Sequence, residues 1–375
     1  MDKDMRLLLD NPTPSFDNLV AVLRGERPPQ RVHLVELHID GEVLTAICEN
    51  ELGEPRASRP ASESWVPVTG GEPEAYWAQR VRLYHRLGYD YVPVGRVFTN
   101  HPLPLRRYGE DTAGMSRGTR QWVEEGSGVI RSRTDFEQFP WDQITPETEA
   151  FTITGRHLPP GMKVMPYAFM FEHVMEYLLG MEGMFYMMAD EPGLVEAVFE
   201  QWGQKIYDFY AAVIGMDHVG GIFHADDLGF KTSSFISRKD LHRLVFPWFK
   251  KYADLAHQHG KMFWYHSCGN HYSPGIMDDF IDYVEIDAFH SFQDVILPVT
   301  DFKTLYGHRV ATLGGVDMDV LSAGNETTIR AYVRDILKTC MPGGRFALSS
   351  GNSITNYVPL ENYFAMLDEA RHWQV

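Results

Sequence analysis

Met262-Phe263-Trp264-Tyr265-His266-Ser267-Cys268-Gly269 is a run of bulky apolar residues that ends in an imidazole, a hydroxyl and a thiol before a glycine. A continuous apolar run, rather than an alternating one, is what a parallel strand covered on both faces requires. The polar end then falls at the carboxyl end of the strand, where barrels of alternating strands and helices carry their chemistry. His266 and Cys268 are two residues apart, which is the strand period, so both side chains point the same way.

Working outward, seven further runs read as strands: Val32-Leu37, Tyr89-Val94, Val164-Phe169, Val219-His224, Val284-Phe289, Val310-Gly314 and Phe346-Ser349. Helical patterns separate them, over 74–86, 174–188, 194–214, 238–258, 298–305, 326–339 and 359–370. Eight strand-helix units predict an α/β fold, a single (β/α)8 TIM barrel spanning residues 1–375. Residues 1–30 read as an amino-terminal lead-in, with Ser15 capping a helix over Phe16–Leu23 and Gly25 closing it. Residues 95–161 read as an insertion after strand two, with hairpins expected over 120–134.

Composition narrows the function classes. The formal net charge of −17 argues against nucleic-acid or anionic-membrane partners, which call for clustered lysine and arginine. No apolar run approaches the roughly 20 residues of a membrane span, and no leader pattern is present, so a cytoplasmic location is expected. Three cysteines, Cys48, Cys268 and Cys340, make no disulfide framework. The glycine-rich pieces fit neither GxGxxG nor a phosphate loop, so no nucleotide cofactor is expected.

An imidazole and a thiolate that converge suit a borderline-soft metal such as zinc. The same pair also fits a structural histidine beside a buried thiol, or a thiol nucleophile. Neighbouring strand ends offer further metal ligands or acid-base groups: His224, Asp226 and Asp227 after strand four, Glu285 and His290 around strand six, and Asn352 after strand eight. Adjacent Asp226 and Asp227 read as acid-base or orienting carboxylates; alternatively Asp226 caps a turn and Asp227 faces solvent. Phe169 and Glu172 read as a pocket wall with a polar handle.

Leu179-Gly180-Met181-Glu182, Ala189-Asp190-Glu191-Pro192, Asp226-Asp227-Leu228-Gly229, His257 to Gly260, His266-Ser267-Cys268-Gly269, Gly314-Gly315-Val316-Asp317, Gly351-Asn352-Ser353-Ile354 and Glu361-Asn362 together resemble the uroporphyrinogen decarboxylase superfamily, and within it the methyltransferase-like branch. The resemblance implies a TIM barrel and a homodimer. Decarboxylase members use no cofactor and hold acidic substrates with arginines from an amino-terminal motif. The matching stretch here, Leu34 to Asp40, has no arginine, and their strand-eight histidine corresponds to Asn352. The methyltransferase branch binds Zn2+ through His-x-Cys on strand five and a cysteine on strand eight. His266 and Cys268 match the pair, Asn352 stands at the third position, and Glu285 or His290 is the implied replacement.

The resemblance thus implies a zinc-assisted methyltransferase that moves a methyl group between a small-molecule substrate and a corrinoid, the methylcorrinoid being carried on a partner protein. Asp226, Asp227 and His266 would carry the proton chemistry, and Phe169, Glu172, His224 and Asn352 would contact the substrate. Two other readings stay open: a metal-independent decarboxylase or lyase, and a non-catalytic module that binds a small molecule or a corrinoid protein.

Overall fold

The computed structural model describes residues 8–60, 70–95, 102–126, 128–272 and 275–374. Its strands are β1 (Tyr91–Gly95), β2 (Arg106–Glu110), β3 (Thr119–Val123), β4 (Lys163–Tyr167), β5 (Gly221–Ala225), β6 (Gly229–Phe230), β7 (Ser233–Ser234), β8 (Met262–His266), β9 (Ala288–His290), β10 (Ala311–Leu313) and β11 (Phe346–Ala347). β5, β8, β9, β10 and β11 form one parallel sheet in that order. β1 pairs with β4, and a parallel bridge between Val164 and Val219 joins that pair to the larger sheet. Helices flank the whole array.

The closed ring of eight strands expected from sequence is met only in part. The first expected strand, Val32-Leu37, is extended but makes only an isolated bridge, Leu34 with Leu348. Val35 and His33 keep backbone bonds to Leu348, but on both sides of Glu36 polar side chains replace further ladder bonds. Glu36 Oε1 accepts the Ser350 amide at 2.7 Å, and the Tyr91 hydroxyl donates to the Glu36 carbonyl at 2.6 Å while accepting the Glu36 amide at 3.0 Å. Side chains that bond the backbone compete with ladder bonds for the same groups. The result is a distorted, barrel-like α/β fold with its seam at Glu36 and Tyr91.

The barrel interior follows the two-residue alternation of its strands. Val35, Leu37, Tyr91, Met165, Phe223, Ala225, Met262, Trp264, Ala288, Ala311, Leu313 and Ala347 form one buried cluster. The same cluster contains Phe16, Leu19 and Leu23 of helix Phe16–Leu23, which plugs the end where the strands begin. The Phe16 ring stacks on Trp264 at 6.0 Å and meets Tyr91 edge-on at 6.4 Å. Ser15 makes no side-chain cap on this helix; it is fixed instead by its amide, which donates to Asp90 Oδ1 at 2.7 Å. Gly25 does close the helix, at φ +75°.

Outside the sheet, helix Pro192–Ile214 starts with proline in its first turn, where the missing N–H costs nothing. It buries Leu194, Val198, Trp202, Ile206, Phe209 and Val213 at helical spacing. Between β1 and β4 the chain forms the β2–β3 hairpin and two helices, Arg133–Gln138 and Glu149–His157. The hairpin therefore lies earlier than the expected 120–134, whose end becomes a helix capped by Ser132 on the Asp135 amide. The helix Gly41–Ile47 and the turn Phe280–Val284 were not expected from sequence. No helix among the described residues is long and apolar enough to cross a membrane.

Candidate active site

Strand alternation sorts the candidate residues. On β8 the inward set is Met262, Trp264 and His266, and Cys268 continues it past the strand end. On β5 the inward set is Phe223 and Ala225, and Asp227 continues it. Asp227, His266 and Cys268 therefore meet, each offering one ligand atom, with these atoms all within 4.8 Å of one another. His266 Nε2 lies 3.5 Å from Asp227 Oδ1 and 3.8 Å from Cys268 Sγ. A tetrahedral zinc with bonds of about 2.0–2.3 Å spaces its ligands roughly 3.3–3.8 Å apart, which the two separations from His266 match.

The ring below sets the tautomer of His266. His290 Nε2 lies 3.1 Å from the Ser350 carbonyl, which only accepts, so that nitrogen carries the proton. His290 Nδ1 is then an acceptor, and it receives the proton of His266 Nδ1 at 2.6 Å. Burial, and then the neighbouring His266, hold His290 well below the ordinary histidine range, in keeping with a neutral ring. The lone pair of His266 Nε2 is left facing Asp227 and Cys268, as ligation requires. His290 supports a ligand from behind and does not join the trio.

Cys268 Sγ receives Asn352 Nδ2 at 3.0 Å and lies 3.3 Å from Ser291 Oγ. Burial, and then the charge of Asp227, push its thiol well above the usual range. The turn that presents it depends on Gly269, at φ +115°, where an added Cβ would stand 2.6 Å from the Gly229 carbonyl carbon. Asp227 Oδ1 accepts the Cys268 amide at 2.6 Å. Burial raises Asp227, but a proton on the His266 ring and the Cys268 amide outweigh it, so the carboxyl sits below its ordinary value until a metal takes the place of that ring proton. Glu172 moves the other way: burial, then Asp227 and Asp226, raise it well above the carboxylate range. Its Oε2 accepts the Asp227 amide at 3.1 Å. The two carboxyls are thus pushed apart, Asp227 down and Glu172 up, the separation that acid-base chemistry uses.

Two residues of alternate parity, His224 on β5 and Asp226 just after it, face the other way. Asp226 is fully buried, with Oδ2 accepting the Met170 and Phe171 amides at 2.7 Å each and Oδ1 accepting the Glu172 amide at 2.8 Å. His224 Nε2 donates to it at 3.2 Å, leaving Nδ1 to accept the Tyr210 hydroxyl at 2.9 Å. Both sit between the sheet and its outer helices, among Tyr210, Phe249 and Tyr252. The structure brings neither to the cavity; Asp226 instead braces the loop that carries Glu172.

Glu285 is a correction to the expected ligand set. It precedes β9 at φ +65°, at the opposite end of the array, and pairs with Lys250 at 3.0 Å. It stands five positions before His290, which ends β9, at most about 17 Å away at the extended rise. It belongs to a second group that could hold a metal, Asp254, His257 and Glu285, where Lys250 also bonds Asp254 at 2.6 Å. Cys48 and Cys340 are buried elsewhere and join neither group.

A cavity of about 380 Å³ opens over Asp227 and His266, with Cys268 behind them, bounded on that side also by Asn352, Phe169 and Glu172. Facing them are His38, Arg59, Trp77, Arg80 and Tyr167, none of which the sequence reading singled out. Tyr167 and Phe169 share the parity of interior Met165, so strand alternation was a usable signal for Tyr167. Arg59 and Arg80 come from a loop and a helix face, for which no such rule exists. The Tyr167 ring occupies the space beside Gly95, where a Cβ would fall 2.3 Å from it.

Fold and site together define a barrel-like α/β enzyme whose chemistry sits at the carboxyl ends of its strands, over a group of residues able to hold a metal. The family model for uroporphyrinogen decarboxylase (URO-D) matches residues 129–373, more than half of the chain, so the chain belongs to that family. No curated protein matches the sequence. Among solved structures, a methyltransferase from Methanosarcina mazei superposes with a TM-score of 0.66 at 17% identity, covering 96% of this chain and 98% of that one. That likeness is one of fold. A sugar phosphate isomerase/epimerase from Parabacteroides distasonis, at TM-score 0.36 and 9% identity over 89% of this chain and 94% of that one, is too distant to carry an argument.

Proposed function

We propose that the protein is a zinc-assisted methyltransferase that moves a methyl group between a small methylated substrate and a corrinoid carried on a separate protein. The observation that carries this reading is the meeting of a carboxylate, an imidazole with its lone pair outward and a thiol at tetrahedral spacing beside the cavity. Asp227, His266 and Cys268 would hold the metal, Asp227 standing in for the strand-eight cysteine that is Asn352 here. Bound zinc supplies Lewis acidity toward the oxygen or sulfur that bears the methyl group. Protonated Glu172 is placed to deliver a proton to that atom when the methyl group leaves. Asn352 fixes the Cys268 sulfur, and Phe169 walls the substrate.

A second reading, a metal-independent decarboxylase, is favoured by the family model and by arginines in the same cavity as a protonated carboxyl. There Arg59 and Arg80 would hold an acidic substrate, and Glu172 would protonate the carbon that loses carbon dioxide.

One experiment separates them. Metal analysis of the purified full chain is run beside assays of demethylation and of carbon dioxide release. Methyl transfer predicts one zinc per chain, lost in Asp227→Ala, His266→Ala and Cys268→Ala together with demethylation. Carbon dioxide release that survives both chelation and Cys268→Ala would replace the first reading with the second.

A further inference from the structure

The protein carries a net charge of −17, yet arginines crowd one side of the cavity mouth. Arg56, Arg59, Arg80 and Arg117 surround His38, whose Nδ1 is buried without a hydrogen-bond partner. Arg117 is neutralised by Asp40 at 3.0 Å and Glu42 at 3.3 Å. Arg56 and Arg59 form no ion pair with a carboxylate among the described residues. Burial, and then the field of these arginines, hold His38 down to about 3. Burial is the larger cause and the arginines add to it, while Asp40 stands 3.6 Å from the His38 Nε2.

Geometry turns this surface into one end of a site. Arg59, Arg80 and His38 belong to the first strand-helix unit and the loop after it, whereas Asp227 and His266 end β5 and β8. The pairing order places those units on opposite sides of the mouth. Between them the cavity is walled by Trp77, Tyr167 and Phe169, with Tyr167 meeting Phe169 edge-on at 5.9 Å. Arg80 Cζ lies over the Trp77 and Tyr84 rings, 5.9 and 5.2 Å from their centroids. A guanidinium fork matches a carboxylate, and aromatic walls suit a flat apolar body.

We propose that the substrate is a flat, apolar carboxylate, its carboxylate bound by Arg59 and Arg80 and its reacting group set against Asp227, His266 and Cys268. This rests on the reading of the mouth as the catalytic site, but it does not depend on which reaction occurs there. These arginines lie outside the Leu34 to Asp40 stretch, so charge recognition has been rebuilt from a loop and a helix.

The test is calorimetric titration of the full chain with 4-methoxybenzoate, 4-methoxybenzamide, methoxyacetate and sulfate. The expected result is that the benzoate binds at least about tenfold more tightly than the amide and methoxyacetate. Exposed Arg59→Gln is expected to erase the acid-over-amide preference while leaving amide binding and the thermal midpoint unchanged. Equal binding of acid and amide, no binding of the benzoate at millimolar concentration, or an unchanged preference in Arg59→Gln would overturn the proposal. Sulfate competing as well as the benzoate would overturn the carboxylate assignment, and methoxyacetate binding equally well would overturn the flat apolar body. Chelated protein is expected to keep the acid-over-amide preference, so failure of methyl transfer and failure of this inference read out separately.

Discussion

Replacing Asp226 by asparagine separates a brace from a catalyst. The carboxylate receives four donors: the Met170, Phe171 and Glu172 amides and His224 Nε2. An asparagine side chain has one accepting oxygen. Placed toward Met170, Phe171 and His224, it turns its NH2 group against the Glu172 amide, and the reverse orientation loses more. At least one buried N–H is left unmet, at roughly 1–3 kcal/mol, and the remaining bonds lose the strength that charge gave them. Together the expected loss is about 3–5 kcal/mol. Equilibrium urea unfolding, followed by tryptophan fluorescence and far-ultraviolet circular dichroism, measures it. Glu172 loses its anchor as well, so activity falls along with stability. A variant within about 1 kcal/mol of the parent that is nonetheless inactive would refute the brace and return Asp226 to catalysis.

Other perturbations follow from the same structure. Burial lifts Glu36 to about 8 against the opposing bonds from Ser350 and Ser349. Between the unfolded value near 4.5 and the folded value, the unfolded chain sheds a proton that the folded one keeps. This group's stabilisation is therefore whole below 4.5 and falls by about 1.4 kcal/mol per pH unit until about 8. Glu36→Gln removes that slope, measured as urea stability between those limits, and an unchanged slope would contradict the assignment. Tyr91→Phe strips both seam bonds from Glu36 and is expected to cost roughly 2–4 kcal/mol, with faster hydrogen exchange at the Glu36 amide as its local sign. Gly269→Ala adds a methyl group against the Gly229 backbone at a positive φ; zinc stoichiometry is expected to drop below that of the parent under equal loading.

The parallel strands were legible because runs such as Met262-Phe263-Trp264-Tyr265 have no periodicity other than burial on both faces. The long helix over 192–214 was legible from its apolar spacing and its opening proline. The first strand misled because its composition is strand-like, while the Tyr91 hydroxyl takes the Glu36 backbone on one side and the Glu36 carboxyl takes the Ser350 amide on the other, from partners remote in sequence. Glu285 misled in the same way: the apolar run Val284-Phe289 reads as strand, but its start completes a π-helical turn.

At the site, the meeting of His266 and Cys268 followed from strand period alone. The difference between Asp226 and Asp227 was present too, since counting by twos from Phe223 turns Asp227 inward and Asp226 outward. The arginine side was not legible, because Arg59 and Arg80 reach the mouth through loop and helix geometry that no local pattern encodes.

Helix Phe16–Leu23 seals the end of the array where the strands begin, and this sets the traffic of the site. With that end plugged, the proposed methyl transfer would bring its small substrate and its corrinoid protein to the same, carboxyl-end side of the array. The small one would then have to be seated before the large one covered it. An excess of the large reactant is expected to slow turnover by blocking entry, visible as inhibition that rises with its concentration and is relieved by more of the small one.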